Sequence, residues 1–237
     1  MPKLSNGSIF MKSRPTGNLI SSIPVFGSLT EEETAAIARA GYLVSYGPGE
    51  ALFKQNTPVN SIMYICSGLV KLIRDADHRK RCILHLSGAE GFTGLQSVFS
   101  DEPYQYSAVA IEDTVILMID ITEVRQIINQ NGLFASAFLK QSSREGIGIM
   151  TKLLNQFYKQ LPGRVAEMLL YFSQKIYKSP VFDLPLSRQE LAEFAGTTKE
   201  SMIRTLSEFR HDKIIRLEGK KVEILSPDVI DTLSRLG

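Results

Sequence analysis

Two short capped helices separated by one glycine constrain this chain more than any other feature. Ser187 precedes an apolar-periodic segment and Glu190 follows three residues later, the spacing at which a hydroxyl and a carboxylate satisfy free N–H groups at a helix start. Gly196 can take positive φ where that helix ends. Thr197 and Glu200 repeat the start signal. Two helices joined by so short a turn must cross steeply, which predicts a helix-turn-helix.

The second helix has an apolar face and a polar face. Met202, Leu206 and Phe209 repeat at i, i+4 and i+7 and are expected to pack on the first helix. In a DNA reader, the N-terminal residues of the other face meet base edges in the major groove. Arginine can donate twice to guanine, and glutamate can accept from the cytosine amino group. The expected DNA contacts are Arg188, Thr198, Lys199, Glu200, Ile203 and Arg204.

A second interpretation of Glu200 and Arg204 is an ordinary i,i+4 ion pair, worth about 0.2–0.5 kcal/mol. The residues that follow favour the DNA reader, because two strand-like runs flank a turn at Gly219. A hairpin after the second helix forms a wing, which would bring Lys220 and Lys221 near phosphates. The charge balance counts modestly against DNA binding: from Leu161 onward there are 12 Lys+Arg against 11 Asp+Glu, where nucleic-acid binding usually leaves a basic footprint.

Short β-type runs separated by turn signals dominate the first half of the chain, after residues 1–18, which are expected to form a loose polar tail. Several strands at this spacing predict an antiparallel sandwich or barrel. The runs are Tyr42–Tyr46, Ala51–Phe53, Ile62–Cys66, Leu69–Arg74, Cys82–Leu86, Ser107–Ala110 and Val115–Ile119.

A long helix is expected from Leu133 to about Gln160. Residues along it repeat with alternating steps of four and three, which is the spacing of a coiled-coil seam. The alternative is a helix that only covers its own β-domain. A second stripe of Met150, Leu154, Phe157 and Leu161 can pack on the chain's own domains. The predicted dimer seam is Leu139, Ser142, Gly146, Ile149, Leu153 and Gln156.

The sequence shows no membrane, metal or cofactor signal. No run approaches the ~18–20 apolar residues that span a bilayer. Cys66 and Cys82 stand apart in apolar runs, as core thiols or as redox sensors, and His78, His85 and His211 lack metal-ligand spacing, with His85 either a packed strand residue or a haem ligand. We expect a cytoplasmic protein with no metal, no cofactor and no membrane contact.

Both halves of the chain resemble the CRP/FNR family of bacterial regulators. The C-terminal resemblance lies in Pro162–Ala166, Leu186–Ala192, Gly196–Arg204 and Gly219–Lys220; the N-terminal one lies in Gly47–Glu50, Tyr64–Lys71 and Gly88–Gly94. It implies an α+β protein with three parts: an antiparallel, cyclic-nucleotide-binding-like β-roll at 19–132, a dimerisation helix at 133–160, and a winged helix-turn-helix at 161–237.

The resemblance also implies function. Glu200 and Arg204 match the family's Glu-x-x-x-Arg, so we expect a homodimer on double-stranded DNA, at an inverted repeat with TGA-like half-sites, with RNA polymerase as a further partner. Ile203 stands where many relatives of the oxygen-sensing branch have Ser, which leaves the outer base of the half-site open. Iron–sulfur relatives use four cysteines, mostly near the N-terminus, whereas none precedes Cys66 here.

The nucleotide pocket departs from the family pattern. Cyclic-AMP-binding members place a Gly-Glu pair on the ribose and an Arg-Ser pair on the phosphate, where this chain holds Gly94-Leu95 and Tyr106-Ser107. Leu95 cannot accept from a hydroxyl, and Tyr106 brings no positive charge to a phosphate. The unidentified small-molecule effector is therefore not expected to be cyclic AMP. Residues that either line its pocket or fill the core are Leu95, Gln96, Phe99, Tyr104, Tyr106 and Ser107.

The function predicted is a sequence-specific, DNA-binding transcription regulator controlled by a signal in the β-roll. One alternative is a constitutive DNA binder with a vestigial, ligand-free roll. An enzyme with a regulatory roll is the alternative from another class, and it is disfavoured because the sequence shows neither a glycine-rich phosphate loop nor a nucleophile elbow.

Overall fold

A computed structural model describes residues 13–76, 80–100 and 102–237 of the chain. The chain divides into two compact units. The first comprises Met1–Arg74 and His85–Ile147, and the second comprises Asp75–Leu84 and Gly148–Gly237. The predicted domain boundaries placed the long helix in a segment of its own, whereas this division falls within that helix.

The β-roll consists of two four-stranded sheets, ordered β1-β8-β3-β6 and β2-β7-β4-β5. The strands are β1 (Gly41–Tyr46), β2 (Ala51–Phe53), β3 (Ser61–Ser67), β4 (Leu69–Ala76), β5 (Lys80–Gly88), β6 (Gly91–Thr93), β7 (Ser107–Ala110) and β8 (Thr114–Asp120). Each of the seven predicted runs is a strand. β6 was not predicted, because its three residues lie between glycines and are too short to show alternation.

Helices that precede, interrupt and follow the strands of the roll contribute side chains to its core. They are α1 (Gly17–Ser22), α2 (Glu31–Ala40), the short α3 (Leu95–Val98), α4 (Ile121–Gln130) and the start of α5 (Gly132–Tyr158), with a 3-10 turn at Pro24–Phe26. Aromatic rings form the centre: the ring of Phe134 lies 5.8 Å from that of Phe26, and Phe138 lies 5.7 Å from Phe92. All four side chains are buried, so the first half of α5 is anchored by aromatic packing.

The N-terminal tail is ordered where it is described. The backbone N–H of Leu43 donates to the carbonyl of Ser13 at 2.7 Å, and Thr16 caps α1 by accepting from the Leu19 N–H at 3.3 Å. The predicted loose tail is therefore wrong for 13–18, while residues 1–12 lie outside the described residues.

The second unit contains the predicted helix-turn-helix and wing. Its elements are α6 (Leu161–Tyr171) followed by a π-helical turn at Phe172–Ile176, β9 (Val181–Asp183), α7 (Arg188–Ala195), α8 (Lys199–His211), β10 (Ile215–Glu218), β11 (Lys221–Ile224) and α9 (Pro227–Leu236). The wing has three strands, ordered β10-β11-β9, and its third strand, β9, was not predicted from the sequence. Pro162 lies in the first turn of α6, since α5 already ends at Tyr158.

The faces of α5 differ from the predicted ones. Met150 is 54% exposed, Leu154 43% and Phe157 83%, so the expectation that these side chains pack on the chain's own domains is wrong. Gln156, predicted for the seam, has its side-chain amide 3.2–3.4 Å from the position that a Cβ on Gly196 would occupy. Leu161, the last residue of the stripe that begins at Met150, is half-buried at the start of α6. The predicted dimer seam stays a prediction. No helix in the described part of the chain is long and apolar enough to cross a membrane.

Candidate nucleic-acid interface

The first helix of the pair, α7, has the predicted start and stop. The Ser187 N–H donates to a Glu190 carboxylate oxygen at 2.9 Å, and the Glu190 N–H donates to the Ser187 hydroxyl at 3.3 Å. The helix ends at Gly196, whose φ of 64° places it in the left-handed region. The predicted capping box and glycine stop are thus confirmed, and together they fix both ends of an eight-residue helix.

The second helix, α8, begins one residue later than predicted. The Ser201 N–H donates to the Thr198 hydroxyl at 3.2 Å, which makes Thr198 the N-cap. The Thr197 N–H instead donates to the Ala192 carbonyl at 2.9 Å and so belongs to the end of α7. The capping box predicted from Thr197 and Glu200 is wrong, because the left-handed turn uses Thr197 to close the preceding helix.

The side chains of α8 divide into a packing face and an exposed face. Met202, Leu206 and Phe209 are buried, as their spacing predicted. The exposed face begins in the first turn, and it carries Lys199, Glu200, Ile203 and Arg204. Arg204 is 72% exposed and reaches Glu208 with an Nε–Oε1 distance of 4.0 Å. This contact lies one turn after Arg204, and such exposed pairs contribute little, so the guanidinium can reorient towards another acceptor.

The wing is tied to the start of α7. An Nη of Arg188 donates to the carbonyl of Gly219 at 2.7 Å, and the Leu184 N–H donates to the carbonyl of Lys220 at 2.8 Å. Burial lowers the pKa of Arg188 from its ordinary value. Lys220 and Lys221 are exposed at the turn. Arg188, predicted as a DNA contact, therefore has a structural partner that places the wing turn.

The effector residues predicted from the sequence lie mostly inside the roll. Leu95, Tyr104 and Tyr106 are buried, and the Tyr104 ring stacks on Phe53 with 3.7 Å between centroids. Burial raises the pKa of Tyr104 to about 12. Gly94 has a φ of 77°, and a Cβ there would lie 2.9 Å from Tyr104. These three side chains thus lie inside the roll, and their role as core or as pocket lining stays a prediction.

A chain of polar contacts runs from Tyr106 to α5. The Tyr106 hydroxyl donates to Gln96 Oε1 at 3.0 Å, and Gln96 Nε2 donates to Glu145 Oε2 at 3.1 Å. Gln141 Nε2 donates to the other Glu145 oxygen at 2.9 Å. Burial raises the pKa of Glu145, and the hydrogen bonds from Gln141, Gln96 and the Phe92 backbone partly oppose it. Glu145 and Gln141 were not predicted, since their 49-residue separation from Gln96 leaves no local pattern.

The remaining two predicted effector residues face elsewhere. The Ser107 hydroxyl accepts from the Gln55 N–H at 2.9 Å. Phe99 is 43% exposed, with the Arg125 guanidinium 6.0 Å from its ring centroid. In the described part of the chain, no group of three or more His, Cys, Asp or Glu residues could hold a metal ion. Burial raises the pKa of the Cys66 thiol, which disfavours the reactive thiolate.

Comparison with known proteins agrees with this geometry. The family model of the cyclic nucleotide-binding domain matches residues 43–131, and that of the Crp-like helix-turn-helix domain matches residues 163–232. The chain belongs to the CRP/FNR family. It is a DNA-binding transcription regulator, and this family is not one of enzymes.

Family members from several bacteria are similar over most of their length. A CRP-like cAMP-activated global transcriptional regulator of Mycobacterium tuberculosis is 26% identical over 210 residues, covering 87% of this chain and 94% of the relative. The transcriptional activator protein anr of Pseudomonas aeruginosa is 28% identical over 184 residues, covering 75% and 74%. The solved structure of FixK2 from Bradyrhizobium japonicum has the same fold, with a TM-score of 0.75, 20% identity and coverage of 81% and 96%.

The Arg188 contact predicts how the wing of this CRP/FNR member responds to substitution. Arg188→Ala should accelerate amide hydrogen exchange at Gly219 and its neighbours, because a charge-assisted bond to the turn is lost. The unfolding free energy should fall by about 1 kcal/mol. Exchange measured by mass spectrometry and urea unfolding test this, with Arg210→Ala, an exposed arginine of α8, as control. Equal exchange at the turn in both variants would contradict it.

Proposed function

We propose that this regulator binds an inverted repeat as a homodimer and reads each half-site with the exposed face of α8. The observation that carries the proposal is that Glu200 and Arg204 both lie on that face, solvent-exposed and one helical turn apart. An arginine and a glutamate so placed address neighbouring base pairs in a TGA-like half-site. Ile203 is 43% exposed between them, where an apolar side chain suits a thymine methyl group.

The other predicted contacts have supporting roles in this proposal. Thr198 and Lys199 lie at the positive end of the α8 helix dipole, which favours a phosphate. Lys220 and Lys221 on the wing turn would bind the backbone of the same DNA. Two such recognition helices, related by twofold symmetry, require half-sites about one helical turn, roughly 34 Å, apart.

Selection of bound duplexes from a random pool tests the reading of DNA directly. The purified protein should enrich a palindrome with TGA-like halves. Glu200→Ala and Arg204→Ala should each relax specificity at one base pair, by about 1–3 kcal/mol. Arg210→Ala is the matched control, because it removes an equal charge from the exposed C-terminal end of α8.

The control should leave the order of preferred bases unchanged. Equal loss of affinity for all duplexes in the Glu200 and Arg204 variants would contradict base reading and leave only backbone binding. No enriched motif, with and without metabolite extract, would contradict the sequence-specific proposal itself.

Dimerisation through α5 is supported by an exposed apolar stripe on that helix. Leu139 is 70% exposed and Ile147 58%, and Met150, Leu154 and Phe157 continue the stripe. Large apolar side chains in a row along one helix are costly to leave in water. Ser142, Gly146 and Ile149 are half-buried and Leu153 is 40% exposed, so the predicted seam borders this stripe. We propose the stripe with its bordering residues as the dimer surface.

Charged substitutions in the stripe should separate the protomers. Leu154→Glu and Phe157→Glu would place carboxylates in the apolar contact between two copies. Each should shift the protein from dimer to monomer in sedimentation velocity at micromolar concentration and weaken operator binding at least tenfold. Leu133→Glu is the control, because Leu133 is 74% exposed in the first turn of the same helix. A dimer that persists in both stripe variants would contradict this surface.

The signal that controls the roll is proposed to differ from cyclic AMP. Leu95 and Tyr106 are both buried, and Glu145 is held near them by hydrogen bonds from Gln96 and Gln141. The similar regulator of Mycobacterium tuberculosis is named as cAMP-activated. Here a cyclic phosphate would meet no cation at Tyr106 and, at Glu145, an acidic group that offers no positive charge. A signal of other chemistry would act by shifting the population of DNA-competent conformations.

Cyclic AMP should leave this protein unchanged. At 1 mM nucleotide, about a hundred times a 10 µM dissociation constant, a ligand of the folded state would add about 2.7 kcal/mol of stability. We expect no rise in melting temperature and no gain in operator affinity, with the cAMP-activated mycobacterial relative as positive control. A cAMP-dependent gain of threefold or more would contradict the proposal.

A constitutive DNA binder with a ligand-free roll is the second candidate. The stacked rings of Phe53 and Tyr104 favour it, because they already fill the inside of the roll. A thermal-shift screen of metabolites separates the two candidates. A compound that stabilises the protein and also changes its operator affinity would support the sensor. Operator affinity that no compound changes would support the constitutive form. In either form RNA polymerase is the expected partner.

A further inference from the structure

Lys152 of α5 has an ammonium group whose direct contacts are two backbone carbonyls and an aromatic ring. Its Nζ donates to the carbonyl of Ile83 at 2.8 Å and to that of Leu84 at 3.1 Å, both on β5. The same Nζ lies 3.3 Å from the centroid of the Phe194 ring on α7. One side chain therefore contacts a sheet strand and the first helix of the helix-turn-helix. We call these four residues the Lys152 link.

Each partner in the Lys152 link suits a cation. Ile83 and Leu84 each offer a backbone carbonyl oxygen on β5, and an ammonium with three N–H donors can bond to both. The face of an aromatic ring attracts a cation, most strongly where water is excluded. Phe194 is itself fixed in the second unit, since its ring stacks on Phe172 at 6.3 Å.

The pKa of Lys152 lies near neutral pH. Burial lowers its pKa to about 7, and Cys82 and Glu167 oppose that shift only in part. Both protonation forms are therefore populated near neutral pH. The charged and titratable groups around the link are Arg81 and Cys82 of β5, Glu167 of α6, Glu190 and Glu193 of α7, and Lys159 of α5.

A second contact of α5 reaches the same helix-turn-helix. The Gln156 amide lies against Gly196, one turn beyond Lys152. Arg164 at the start of α6 adds a bond from its Nε to the Ala195 carbonyl at 2.9 Å. The last turn of α7 is thus contacted by three residues: Gln156 at Gly196, Arg164 at Ala195, and Lys152 at Phe194. Replacing Lys152 removes only the contact that joins α7 to β5 and leaves the other two in place.

We propose that Lys152 is a positioning residue for DNA binding, which holds α7 against the outer edge of β5 through Phe194 and so fixes how the helix-turn-helix is presented. Lys152 acts through α7 and need not touch DNA itself. The proposal rests on the proposed function only in requiring a specific operator for its affinity measurement.

Lys152→Met tests the link, because methionine fills similar space without donors or charge. In the full-length protein, amide exchange in Arg188–Ala195 and at Ile83 and Leu84 should accelerate three- to tenfold. Affinity for the selected operator should fall by a similar factor. The slope of affinity against salt should stay unchanged, since each lost phosphate contact would reduce it by about 0.9. Lys140→Met, an exposed lysine of the same helix, is the control and should match wild type.

The pH profile separates positioning from mere packing. If DNA binding requires the ammonium form, binding raises the pKa of Lys152. Wild-type affinity is then highest below pH 7 and falls about three- to tenfold as the pH rises through 7 to 8.5. The ratio of wild-type to Lys152→Met affinity should follow the same curve, because titration of all other groups cancels in it. A constant ratio would overturn the proposal.

Phe194→Leu tests the link from its other side, should Lys152→Met fold poorly. It should remove the same pH-dependent part of the affinity. In the double variant the two effects should not add, because both disrupt one link. Additive effects, or wild-type exchange in Arg188–Ala195 for either single variant, would overturn the proposal. Exchange requires no DNA, so a chain that selects no operator would contradict the proposed function while the exchange result still decides on the link.

Discussion

The left-handed turn at Gly196 is the constraint on which the DNA-binding part depends. A residue with a Cβ would cost about 1–2 kcal/mol in this conformation and would press on the Gln156 amide at 3.2–3.4 Å. The turn also assigns the hydrogen bonds around it: the Thr197 N–H closes α7, the Thr198 hydroxyl caps α8, and Arg164 donates to the Ala195 carbonyl. These bonds fix the turn between the two helices locally.

In the roll, polar side chains bond to one another rather than to the backbone of a turn. Tyr106, Gln96 and Glu145 satisfy one another inside an apolar shell, in the part of the fold where relatives were expected to hold a ligand. A buried network of this kind is costly to break unless something replaces each bond. A ligand that enters must therefore supply donors to Glu145 and an acceptor to Tyr106. A cyclic phosphate group offers acceptors but no donor to Glu145, so this requirement disfavours it in addition to the missing arginine.

Local signals in the sequence were sufficient for most elements of the fold. The caps at Thr30 and Ser187, the stop at Gly196 and the apolar spacing of α8 involve residues within a few positions of each other, so a sequence pattern displays them directly. Contacts between distant residues left no such pattern. The bond from Gln96 to Glu145 spans 49 positions, that from Arg188 to Gly219 spans 31, and that from Lys152 to Ile83 spans 69. The faces of α5 fall between these cases. The sequence displays two apolar stripes on this helix but does not show which of them stays exposed.

The DNA-binding part of the chain is nearly neutral. From Leu161 onward, 12 basic residues face 11 acidic ones, so the long-range attraction to DNA is small. Several of those charges are occupied within the protein: Arg164 holds two backbone carbonyls, Arg188 holds the wing turn, and Glu167 binds both Asn155 and Lys159. In the proposed complex the DNA contacts come from exposed side chains on α8 and the wing, so binding would depend mainly on the geometry of base contacts. That geometry would depend in turn on the contacts that hold α7, α8 and the wing turn.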